Sequence, residues 1–186
     1  MIRLDAATVL LQWAVGGLFF LWFTTRRREV GVGYGWLLRG TYLLMALGAF
    51  ACGVSFGFVP VRDVAALLAA VGALCVLVVS IVFRHAGMAA ADAEHDRRSD
   101  RVAQMTGIER AGSARQRRGR EFPPVLDLVA PAIGSVGLVA AGFDAVAGAS
   151  AGDIAVSLVR TFAGAAFLGS VTDAMLLGHW YLVQPG

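Results

Sequence analysis

The sequence predicts an all-α fold: a polytopic transmembrane helix bundle of about five helices, N-terminus outside and C-terminus cytoplasmic. Three observations carry that expectation. Of the 186 residues, 58% are hydrophobic and only 16% charged, with a mean hydropathy of +0.69, which lies outside the balance of a soluble domain. Five stretches are long and apolar enough to cross a hydrocarbon core of about 30 Å, a distance that takes roughly 20 helical residues. Finally, the two strongest Arg clusters fall on the same side of a single threading, and Arg-rich loops are retained in the cytoplasm.

The first span, 5–24, reads "DAATVLLQWAVGGLFFLWFT". Its basic cluster, Arg26, Arg27 and Arg28, follows the apolar run instead of preceding it. No small-residue cleavage site stands there, so the segment is expected to remain as a helix and not to be removed as a signal peptide. The second span covers 35–59. Before it, Gly31, Gly33 and Gly35 in "GVGYGW" lack the preceding strand and following Lys of a phosphate-binding loop, and a flexible cytoplasmic turn is expected. The third span is 62–83.

Residues 84–123 are the hydrophilic region, holding nine of the sixteen basic residues, all of which are Arg. Its first part, 86–105, suits a helix with Met88, Ala91, Val102 and Met105 as a weak apolar stripe. "RAGSARQRRGR" is expected to be flexible, and "FPP" at 122–124 ends the loop, since proline suits a helix's first turn. The fourth and fifth spans are 124–147 and 154–182. The loop "AVAGASAGD" between them has no Arg and belongs outside. The chain thus divides into a three-helix transmembrane unit at 1–83, a cytoplasmic Arg-rich loop at 84–123 and a two-helix transmembrane unit at 124–186.

Charge inside these apolar stretches is expensive: an Arg at mid-membrane costs roughly 2.5 to 3.5 kcal/mol on insertion scales. Arg39 lies about 6 Å along the second span from its cytoplasmic end, and Arg160 about 10 Å along the fifth from its outer end. Each either extends its stem to headgroup phosphates or meets a carboxylate at its own depth. Depth assigns Asp127, or failing that Asp173, to Arg39, and Asp5 or Asp144 to Arg160. A weak internal repeat points the same way. "LLRGTYLLMALG" (37–48) set over "LVRTFAGAAFLG" (158–169) aligns Arg39 with Arg160, Leu47 with Leu168 and Gly48 with Gly169, and "LD" opens both the first and the fourth span. In an inverted repeat the pairs Arg39–Asp127 and Arg160–Asp5 are images of each other.

The closing segment "SVTDAMLLGHWYLVQPG" (170–186) carries Asp173 and His179, about 240° apart on a helix and so on different faces. His179 arrives with Trp180 and Tyr181 at the cytoplasmic headgroup layer, where amphipathic rings collect. His85 ends the third span at that same level. His85 and His179 are therefore the pair that would hold a haem b by two imidazoles, although no cofactor is expected in the leading reading. Cys52 and Cys75 lie in opposite-running spans about 10 Å apart in depth, too far for a disulfide, and no paired-Cys metal spacing is present. Gly53 and Gly57 in "GVSFG" are expected to mark close helix packing.

No nucleophile, base and orienting carboxylate fall at compatible positions, which argues against an enzyme. The Arg-rich loop lacks the interleaved aromatic residues of a nucleic-acid binder, and anionic lipid headgroups are its expected partners. The leading expectation is a non-enzymatic, multi-pass subunit of a bacterial cytoplasmic membrane that packs against another membrane protein or a copy of itself. The alternatives are a transporter-like half-unit completed by dimerisation and a haem- or quinone-linked redox subunit.

Overall fold

The computed structural model describes residues 5–26, 32–83, 122–146, 148 and 150–183. Within them the chain is all-helical: α1 (Ala6–Thr25), α2 (Val32–Phe56), α3 (Pro60–Val82), a 3₁₀ turn (Pro124–Leu128) that runs into α4 (Val129–Asp144), and α5 (Ala151–Val183). Five stretches are long and apolar enough to cross a membrane: Ala6–Thr25, Gly33–Phe56, Pro60–Val82, Pro124–Asp144 and Ala151–His179. The expected helix at 86–105, the Arg-rich segment from Arg97 to Arg120, and Arg27, Arg28 and Gly31 all lie outside the described residues.

Local chemistry sets the helix ends. Asp5 caps α1, its Oδ1 accepting the Thr8 N–H at 2.7 Å. Pro60 opens α3 at its first turn, where a missing N–H costs nothing. Ser150 and Asp153 form a reciprocal cap at the start of α5. The Ser150 N–H and hydroxyl donate to Asp153 Oδ2, and the Asp153 N–H donates to Ser150 Oγ. This cap starts the fifth helix at Ala151, ahead of the expected 154. Gly33 and Gly35 are a second departure, since both are helical and not part of a turn. Burying Tyr34, Leu38 and Tyr42 along one face outweighs the weak helix propensity of glycine.

Small residues line the packed face of α3. On α3 the buried positions are mainly Ala65, Ala66, Ala69, Ala70 and Ala73, while Val64, Leu67, Val71, Leu74 and Val78 face outward. Lipid is as apolar as leucine, so small residues go where helices must approach and large ones go to the lipid. The central helix is α1, packed against α2, α4 and α5, while α3 packs against α2 and α4. Its span is 56% buried, against 22% for that of α5, which leaves α5 the most lipid-exposed of the five.

Candidate functional site

Two polar clusters close the bundle at its opposite ends, separated by the length of α1, about 30 Å at 1.5 Å per residue. At the Thr25 end, Arg39 and Asp127 form a two-point ion pair. Nε donates to Oδ1 at 2.8 Å and Nη2 to Oδ2 at 2.6 Å, with both residues buried. The pair gathers four elements. Nη1 of Arg39 donates to Ser80 Oγ of α3 at 3.2 Å, Trp36 Nε1 donates to the same oxygen at 3.0 Å, and Thr25 Oγ1 of α1 sits 3.5 Å from Asp127 Oδ2. The Phe122 ring lies 5.1 Å from the guanidinium carbon. Gly35 allows this placement, since a Cβ there would stand 2.9 Å from Arg39 Nη1.

The other end is organised by Arg62 and Asp63, which the sequence reading passes over because they stand at the edge of a span. They are among the least exposed residues in the protein, at 1% and 0%. Arg62 Nε donates to Asp63 Oδ1 at 2.7 Å, Nη1 to Asp5 Oδ2 at 2.5 Å, and Nη2 to the Gly57 carbonyl at 2.8 Å. Asp63 Oδ2 accepts the Val59 N–H at 2.7 Å, closing the turn between α2 and α3. Partial burial pushes the Asp5 carboxyl up, but the Thr8 hydrogen bonds and the Arg62 charge together outweigh it and hold Asp5 below its ordinary value.

The expected pairing of Arg160 with Asp5 is therefore overturned. Asp5 is engaged by Arg62, and among the described residues Arg160 makes no ion pair with Asp5 or Asp144. Depth alone allowed either Arg, but the rotation of α5 and the order of neighbours give Asp5 to α3. The repeat loses its second image pair in the same stroke. Asp173 is not a partner for Arg39 either.

Asp173 is 2% exposed and faces α2. Tyr42 donates its hydroxyl to Asp173 Oδ1 at 2.5 Å, and Tyr34 donates to the Asp173 carbonyl oxygen at 3.2 Å. Asp173 Oδ2 is buried and has no hydrogen-bond partner. Next to it, Trp13 of α1 donates to Thr172 Oγ1 at 2.8 Å. The sequence shows the depth of Asp173 but not the two tyrosines, although the spacing of Tyr34, Leu38 and Tyr42 does put all three on one face of a helix.

Gly53 packs closely against α3, where a Cβ would strike the Asp63 carboxylate. Gly57 meets nothing within 4 Å and serves through its carbonyl, which Arg62 uses. The closest backbone approach at a described glycine is between α1 and α5. A Cβ on Gly16 would run into the Ala165 carbonyl, and one on Gly169 would run into the Gly16 backbone. Alongside that seam, Gln12 Nε2 donates to the Thr161 carbonyl at 2.9 Å.

His85 lies outside the described residues, so the haem pair has no geometry here; His179 is exposed. Cys52 and Cys75 are free thiols. Among the described residues no three His, Cys, Asp or Glu side chains converge as a metal site. The chain matches no protein-family model, no curated protein and no solved structure. What the arrangement offers chemically is two charge clamps, one at each face, and one buried carboxyl between α2 and α5 with a bare oxygen.

Proposed function

We propose that the protein is a non-enzymatic subunit of a membrane assembly and that α5 is the helix it offers to a second membrane protein. Arg160 carries this reading. It is half-buried, about 13 Å along α5 from Ala151 at 1.5 Å per residue, and it makes no ion pair among the described residues. Arg39 and Arg62, by contrast, are both clamped by carboxylates. On the same face of α5, Val156 and Phe167 are 60% and 65% exposed. A partner helix with an Asp or Glu at that depth supplies the missing charge, and the apolar residues on either side supply packing surface. The Arg-rich segment then marks the cytoplasmic face and meets anionic lipid, in the cytoplasmic membrane of a bacterium.

A photo-crosslinking residue at Val156, used in native membranes, tests the assignment. A single crosslinked protein of a different sequence is expected, lost in Arg160→Ala and kept in Arg160→Lys. Crosslinks to lipid alone, equal in all variants, would mean that Arg160 reaches the headgroups and would refute the proposal. Crosslinks to a second copy would replace it with the dimeric half-unit.

A further inference from the structure

Three acidic side chains are buried within the described spans: Asp63, Asp127 and Asp173. Asp63 is paired with Arg62 and Asp127 with Arg39. Asp173 has no cation in contact among the described residues, and of its two carboxyl oxygens only Oδ1 is engaged. The titratable groups facing it are Tyr42 and Tyr34 of α2. From α1, the nearby residues are Trp13, bonded to Thr172, and Gly17, which leaves room for the Tyr42 ring; neither titrates.

A bound metal or alkali cation would need several oxygen ligands around it; Asp173 Oδ2 has no hydrogen-bond partner, and among the described residues no three His, Cys, Asp or Glu side chains converge there. A proton needs neither ligands nor a cavity. We propose that Asp173 is a proton-binding site of the bundle, with Oδ2 the atom that takes the proton and Tyr42 fixing Oδ1 as the carbonyl oxygen. The step is one O–H bond formed at Oδ2 as a hydronium gives up its proton and leaves as water, and the carboxyl goes from one negative charge to none. No oxidant or second substrate takes part.

The two oxygens are made unequal by the hydrogen bonding itself. The Tyr42 hydroxyl donates to Oδ1, a bond that suits a carbonyl oxygen and leaves Oδ2 as the hydroxyl of the acid. Tyr42 holds the carboxyl itself, and Tyr34 donates to the backbone carbonyl of the same residue. Proton uptake and release therefore change the charge between α2 and α5 without requiring any other group to move. This inference does not depend on the partner assigned to α5, because Arg160 and Asp173 lie on nearly opposite faces of that helix, about 220° apart.

Infrared difference spectra of the full chain in proteoliposomes, taken across the pH range in which the bundle stays folded, read the site directly. The expected result is a carboxylic-acid C=O band whose amplitude falls as pH rises, which is absent in Asp173→Asn and moves to higher frequency in Tyr42→Phe as the hydrogen bond to Oδ1 is lost. No Asp173-dependent band at any pH would mean a permanently ionised carboxylate. A band of constant amplitude would mean a permanently neutral side chain. Either overturns the proposal. Should Asp173→Asn fail to fold, the wild-type chain is treated with dicyclohexylcarbodiimide, which reacts with protonated carboxyls in an apolar setting. An adduct on Asp173 that declines with pH, and none on Asp127 or Asp63, is expected; adducts on the paired residues without one on Asp173 would overturn the assignment.

Discussion

Removing one member of the Arg39–Asp127 pair should cost far more than removing both. Arg39 and Asp127 are 5% and 3% exposed, so Asp127→Leu leaves a guanidinium in the bundle without its counter-charge. Breaking a buried pair in this way costs about 3–5 kcal/mol. Two features favour the lower end. Arg39 keeps Ser80 and the Phe122 ring, and its long stem allows some relaxation toward the headgroups. Arg39→Met leaves Asp127 buried with only the distant Thr25 hydroxyl and should cost a similar amount. The double variant Arg39→Met/Asp127→Leu retains no unpaired charge, and a buried pair replaced by apolar residues is often neutral. It should therefore fall short of the summed singles by at least about 2 kcal/mol of coupling. Reversible unfolding of the full chain in mixed micelles, followed by tryptophan fluorescence and helical ellipticity, measures all four corners of the cycle. Singles below about 1 kcal/mol that add in the double would refute the reasoning, because that is the behaviour of an exposed, screened pair.

Two more expectations follow from the geometry. Gly169→Val should destabilise the bundle by at least the about 1–3 kcal/mol typical of overpacking, since the new side chain meets the Gly16 backbone and not a movable side chain. Gly178→Ala, at a helical position with nothing within 4 Å, should not destabilise in the same unfolding assay and should gain up to about 1 kcal/mol of helix propensity. Asp5 gives a pH dependence. Because its folded pKa lies below the ordinary value, its contribution is present above that ordinary value and is lost as pH falls through the folded one. The acid limb of the stability profile should therefore flatten in Asp5→Asn; an unchanged limb would show that the Arg62 and Thr8 contacts do not hold the carboxylate.

The sequence by itself determined the five spans, because hydrocarbon thickness is a one-dimensional criterion that a run of apolar residues meets or fails on its own. It also determined the depth of each charge, since helical rise is fixed, and depth counting brings Arg39 and Asp127 to one level, where they meet. Depth does not say which helix stands beside which, or how each is rotated about its axis. Those two unknowns decided everything the sequence left open. They give Asp5 to Arg62 and leave Arg160 without an ion pair among the described residues. They put the closest backbone seam at Gly16 and Gly169 and a carboxylate against Gly53, and they set Tyr34 and Tyr42 on Asp173. Arg62 and Asp63 show the reason most plainly. At the edge of a span they have the composition of an exposed helix start, yet in the folded bundle the N-cap of α1 and the Gly57 carbonyl converge on Arg62, and Arg62 and the Val59 N–H on Asp63.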